Sequence, residues 1–202
     1  MLPDPTTEPP SRPSRALHPL RRRCRAAVQF VTVSMLFVQI AGCALVDFEQ
    51  RRWLFMPSDR AWGPGVIAAQ GMDDVWIDFV PAGPDEATGA DAARLHGLWL
   101  PQTDAAAPAL LILHGGHWDV RASAPRMRQF HALGFAVLAI DYRGFGRSTP
   151  TLPSENMAVE DAHAAWSWLA RQHPQARRFI FGHSLGGATP CNWPPKSTTR
   201  PA

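Results

Sequence analysis

Cysteine is scarce in this chain. Of 202 residues only Cys24, Cys43 and Cys191 carry a thiol, too few and too scattered for a disulfide framework. Net positive charge is also missing outside one end. Arg12, Arg15, Arg21, Arg22, Arg23 and Arg25 against Asp4 and Glu8 supply a net +4, whereas the whole chain carries +3, so everything from Cys43 onward nets −1. No basic face is left to track a nucleic acid, and that class of partner is excluded. Residues 26–42 hold no charge at all, and residues 185–202 hold no Asp, Glu or His. Metal-ligand clusters are missing too. His114, His117 and Asp119 lie close together, but no second group completes a four-ligand shell, so neither a metal nor a cofactor is expected.

What is present fits one globular domain: 46% hydrophobic residues with 18% charged. Proline is abundant at 20, and half of it falls between Pro3 and Pro19 or between Pro190 and Pro201, so the two ends are expected to lie outside the fold. Residues 1–20 have no apolar period and read as disordered or upstream sequence. The basic patch Arg21 to Arg25 then leads into the uncharged, apolar residues 26–42, the order of an export signal. That segment ends in Ile40-Ala41-Gly42-Cys43, which resembles a bacterial lipobox and implies a lipidated Cys43. The competing reading is an uncleaved anchor, since about 17 apolar residues just span a bilayer. Gln29 and Gln39 weaken a permanent span. Both readings give an exported, membrane-anchored chain on the periplasmic or cell-surface side.

Downstream, Asp74 to Val80 alternates like a half-buried strand, and Arg94 to Leu100 reads as its hairpin partner, stopped by Pro101. Pro81 to Ala93 is a Gly-, Pro- and Asp-rich loop. Ala109 to Leu113 and Phe135 to Ile140 are continuous apolar runs, the mark of strands buried on both faces. Helical spacing covers Pro125 to Leu133, and a second helix capped by Ser154 runs through Ala170 with Ala158, Ala162, Ala165, Trp166 and Leu169 on one face. Arg178 to Phe181 is a last strand. Strands alternating with helices imply a parallel sheet covered on both sides. The expected division is residues 1–42 as leader plus export signal or anchor, 43–188 as an α/β domain, and 189–202 as an aberrant Pro-rich tail.

The last strand ends in Gly182-His183-Ser184-Leu185-Gly186-Gly187, a Gly-x-Ser-x-Gly turn that would raise the Ser184 hydroxyl at a sharp strand-to-helix bend. His114-Gly115-Gly116 follows one earlier strand, and Asp141-Tyr142-Arg143-Gly144-Phe145-Gly146-Arg147-Ser148 follows the next. With all three signatures in order, the stretch from Trp53 to Gly187 resembles the α/β-hydrolase superfamily, and within it the membrane-associated Bem46-like serine hydrolases, which typically carry Asn where this chain has Gly116. The resemblance implies a mostly parallel sheet with helices on both faces, here only the N-terminal part of that fold, with later strands missing. It implies a serine esterase or related acyl hydrolase acting on a small-molecule ester-type substrate. Ser184 would be the nucleophile, and the N–H groups of Leu185 and Gly116 would form the oxyanion hole. Asp141 reads as a strand-end cap or a partner of Arg143, not as a catalytic group.

The same resemblance exposes a gap, because the superfamily's triad continues after the serine with an Asp or Glu and then a His. Residues 185–202 supply neither, and Pro190 would interrupt the helix behind the elbow. The expectation is therefore a C-terminally truncated or frameshifted copy without turnover. The alternative is a non-catalytic membrane-anchored domain built on half of the hydrolase fold.

Overall fold

The structure is a computed structural model that describes residues 18–81 and 92–191. The expectations for residues 1–17, for most of the 81–93 loop and for the tail from residue 192 lie outside the described residues. The chain divides into two units, Met1–Phe48 and Glu49–Ala202.

The first unit is made by helix α1, His18–Phe55, whose last turns belong to the second unit. Its described side chains from Val28 to Gln50 are exposed, and an 18-residue stretch within Val28–Phe55 reaches a mean hydropathy of 1.9, long and apolar enough to cross a bilayer. A signal sequence meets the same criterion. The helix continues through the lipobox-like turn, and Cys43 is exposed with a free thiol.

In the second unit, α2 (Gly63–Ala68) opens on Pro64, and β1 (Asp73–Phe79) pairs antiparallel with β2 (Ala93–Leu100). Then come β3 (Ala109–Leu113), a 3₁₀ turn (Val120–Ser123), α3 (Ala124–Ala132), β4 (Ala136–Ile140), α4 (Glu155–Gln172), β5 (Arg178–Gly182) and α5 (Leu185–Cys191). The sheet order is β1-β2-β4-β3-β5. It is mixed: β3 pairs in parallel with β4 and β5, while β2 meets β4 antiparallel.

Both faces of the central strands are buried, which explains why their sequences run apolar without alternation. Leu111 and Leu113 of β3, with Leu138 and Ile140 of β4, pack with Ala158, Ala162, Ala165 and Leu169 of α4. Leu110, Ile112, Val137 and Ala139 point the other way and pack with Met127 of α3 and Val120. Alanines on α4 let it lie close to the sheet, and the Ser154 hydroxyl caps its start by accepting from the Met157 N–H at 3.3 Å. Of the 53–55 triplet, Phe55 joins the core while Trp53 and Leu54 stay exposed.

Two expectations change. Pro190 does not stop α5 before Cys191. As the sixth residue of a seven-residue helix, it forfeits only its own N–H bond one residue before the described helix ends. Asp141 is not the partner of Arg143. Arg143 is buried and its Nε lies 2.6 Å from Asp161 Oδ1, its own N–H donates to Asp161 Oδ2 at 2.8 Å, and Nη2 meets Glu160 Oε2 at 2.8 Å. Burial pushes the Asp161 carboxyl up to about 7, against the downward pull of the Arg143 charge beside it.

Candidate active site

β5 delivers the elbow because it is held in register beside β3 through Leu113↔Gly182. The chain then reverses within two residues: the His183 N–H donates to the Leu113 carbonyl at 3.1 Å, and α5 begins at Leu185. Ser184 stands between them with φ +55°, a left-handed backbone that costs a non-glycine residue energy. Its side chain is exposed. Only glycine fits on either side. A Cβ at Gly186 would stand 2.1 Å from the Leu113 carbonyl oxygen, and one at Gly182 would stand 2.1 Å from the Gly186 carbonyl oxygen.

The turn after β3 faces this serine. A Cβ on Gly115 would stand 3.0 Å from Ser184 Cβ. Ser184, Gly115 and Gly116 line one cavity of about 420 Å³, together with Trp62, Trp118 and Arg126. Leu185 does not line it; its side chain is half-buried against the α4 side of the core. Among the described residues no hydrogen bond takes up the N–H of Gly116 or of Leu185. Unspent N–H groups flanking a serine are what an oxyanion hole requires.

Residues 55–60 brace the Gly116 loop from behind. The Phe55 carbonyl oxygen lies 2.4 Å from where a Gly116 Cβ would be, the His117 N–H donates to Met56 O at 3.3 Å, and the Asp119 N–H donates to Arg60 O at 3.1 Å. This is a role for the 53–57 segment that its composition did not announce.

His114 is buried beside the serine loop, and it does not serve it. Its Nδ1 lies 2.5 Å from the Gly115 carbonyl oxygen, which can only accept, so Nδ1 donates. Its Nε2 is buried 3.8 Å from Asp141 Oδ1, beyond hydrogen-bond length and without a partner among the described residues. The Ser184 hydroxyl likewise has no hydrogen-bond partner among them. His117 and Asp119 are drawn apart in role: His117 packs on Trp118, and Asp119 caps Arg121 and pairs with its guanidinium.

Asp141 acts as the cap expected of it, accepting from the Val120 N–H at 2.7 Å, and it also accepts from His96 Nδ1 at 2.9 Å. His96 Nε2 faces Asp74 at 2.7 Å, and Arg147 reaches the same Asp74 oxygen at 2.5 Å. These contacts, the hydrogen bond from His96 foremost, hold the Asp74 carboxyl below its ordinary range. Neither Asp74 nor His96 stood out in the sequence. The only hint available was a polar residue inside each of two hairpin strands.

Residues 104–200 match the family described as Serine aminopeptidase, S33. An uncharacterized protein of Mycobacterium tuberculosis is 34% identical over 171 residues, which cover 83% of this chain and 56% of that one. The uncharacterized protein YfhR of Escherichia coli is 30% identical over 162 residues, 76% of this chain and 51% of its own. The chain thus spans about half the length of these relatives. Lysophosphatidylserine lipase ABHD12 of Macaca fascicularis is 30% identical over 98 residues, 47% of this chain and 24% of its own. Among solved structures, the Pyrococcus furiosus esterase Pf2001 superposes with a TM-score of 0.50 at 23% identity, covering 64% of this chain and 48% of that one. The chain has the α/β-hydrolase fold.

Proposed function

We propose that this α/β-hydrolase-fold chain carries the nucleophile half of a serine acyl hydrolase. Ser184 Oγ would attack an ester carbonyl, the N–H groups of Gly116 and Leu185 would receive the oxyanion, and the alcohol would leave as an acyl-enzyme forms for water to cleave. The observation that supports this most is the Ser184 backbone at φ +55°, between two glycines that no larger residue could replace. Strain of this kind persists where the surroundings enforce it, and it concentrates at reactive residues. The names of two similar proteins, a lipase and an esterase, point to carboxylic esters.

The attack needs a base for the hydroxyl proton and a proton for the leaving alcohol. Residues 185–202 hold no Asp, Glu or His, and His114 spends Nδ1 on the Gly115 carbonyl while its buried Nε2 makes no hydrogen bond among the described residues. On this reading the 202-residue chain alone does not turn over. The elbow and oxyanion donors would still make Ser184 more reactive than a free serine, since such donors sustain about 10³-fold catalysis in proteases stripped of their triads. A second reading, an anchored domain that binds without catalysis, draws on the unpartnered Ser184 hydroxyl.

A fluorophosphonate probe with peptide mapping separates the two. Slow labelling confined to Ser184, with no steady release from a short-chain p-nitrophenyl ester, is the expected result. Labelling unaffected by Ser184→Ala overturns the nucleophile assignment, and steady ester turnover that Ser184→Ala removes overturns the absence of turnover. The apolar N-terminal segment is proposed to be an export signal cleaved before Cys43, whose lipid would then tether the chain to a membrane. Mass spectrometry that finds an uncleaved N-terminus and an unmodified Cys43 sinks that part.

A further inference from the structure

The cavity beside Ser184 has an unbalanced lining. Its walls include Trp62, Ile112 and Trp118, and among the described residues that line it there is no Asp, Glu or Lys and one arginine, Arg126. Arg126 sits in the first turn of α3 with its side chain half-buried, its guanidinium carbon 5.2 Å from the centre of the Phe181 ring. Phe181 belongs to β5, three residues before Ser184, so the cation is stacked on the strand that carries the serine.

The other half-buried arginines of this unit and the buried Arg143 have hydrogen-bonding partners, Arg178 through the His173 carbonyl. Arg51 donates to the Leu152 and Pro153 carbonyls, Arg121 pairs with Asp119, and Arg143 pairs with Asp161 and Glu160. Arg126, among the described residues, has neither a carboxylate nor a carbonyl within bonding distance, and its ring contact leaves the N–H edge of the guanidinium unused. A guanidinium partly withdrawn from water without an anion gives up hydration and gains little in return.

We infer that Arg126 makes this cavity selective for acyl compounds that carry an anionic group, carboxylate or phosphate, at one end of an apolar chain. Trp62, Ile112 and Trp118 take the chain, and the guanidinium takes the anion in the two-pronged geometry that arginine offers and lysine does not. Calling such compounds substrates rests on the reading of Ser184 as a nucleophile. The binding preference does not.

The test is a titration of the full chain in a non-ionic detergent, followed by tryptophan fluorescence, with hexyl phosphate, hexanol and inorganic phosphate in separate arms. Hexyl phosphate is expected to bind about tenfold tighter than hexanol, the scale of one charge-assisted hydrogen bond, and also tighter than inorganic phosphate. Arg126→Gln should bring the two hexyl compounds to equal affinity, Arg126→Lys should keep part of the difference, and Ser184→Ala should leave it unchanged. Equal binding of hexyl phosphate and hexanol by the unaltered chain, no binding of either, or a preference that survives Arg126→Gln in a variant with unchanged circular dichroism overturns the inference. Inorganic phosphate binding as tightly as hexyl phosphate also overturns it, by removing the apolar chain from recognition. Because Ser184→Ala retains the preference, a failure here and a failure of the nucleophile assignment show up in different experiments.

Discussion

The ends of the two strands that flank β3 treat their polar groups in opposite ways. Beyond β4, almost every donor and acceptor is spent: Asp141 holds the Val120 N–H and His96, Arg143 is enclosed by Asp161 and Glu160, and the Ser148 hydroxyl donates to the Asp141 carbonyl at 2.7 Å. Beyond β5, the Ser184 hydroxyl and the N–H groups of Gly116 and Leu185 stay unspent, on a backbone held in a costly conformation. The first end is bonded for stability, and the second is the one proposed to react. Unmade hydrogen bonds are tolerated at Ser184 and Gly116 because these residues line a cavity open to water or to a ligand.

The sharpest way to break this contrast is Asp161→Ala. It leaves Arg143 buried without its main counter-charge and should cost about 3–5 kcal/mol in urea unfolding. A loss below about 1 kcal/mol would mean that the β4 end is not the stabilising one. Gly186→Ala strikes the other end. Its Cβ would press on the Leu113 carbonyl, so about 1–3 kcal/mol should be lost and, more tellingly, phosphonate labelling of Ser184 should disappear. Retained labelling would show that the turn can open without harm. Ser184→Gly should move the other way, raising stability by about 1 kcal/mol as the positive φ is relieved, while removing the reactive group. A destabilised Ser184→Gly protein would remove the evidence of strain.

The smallest effect concerns pH. Asp74 has a folded pKa below its ordinary 3.8, chiefly through His96, so its contribution to stability is present above 3.8 and is lost as pH falls through the lowered folded value. Acid unfolding of Asp74→Asn should be less steep in that window than that of the unaltered chain. Curves that superimpose would show that the exposed Asp74 side chain adds nothing measurable.

Legibility followed range. The runs Ala109–Leu113 and Ala136–Ile140 announced themselves because strands covered on both faces have no polar side to show. Ser154 and the spacing of Ala158, Ala162, Ala165 and Leu169 announced α4, since capping and helical period act within a few residues. The elbow was legible for the same reason, as its glycines answer to contacts inside one turn and its immediate neighbour β3. Partners across the sheet were not legible. Arg143 could have paired with the nearby Asp141 and instead pairs with Asp161, because α4 lays that carboxylate against the β4 end. Nor did the sequence disclose that residues 55–60 would support the Gly116 loop, or that the Gly115 carbonyl would take up His114 Nδ1.

The sequence by itself determined the elements, their order, the apolar N-terminal helix and the tight turn at Ser184, because each depends on forces between residues close in the chain. Only the tertiary structure decided which charges meet, which histidine is engaged and which arginine is left facing the cavity. Those outcomes depend on how far-separated strands and helices are brought together, and burial then makes each pairing, or the lack of one, energetically decisive.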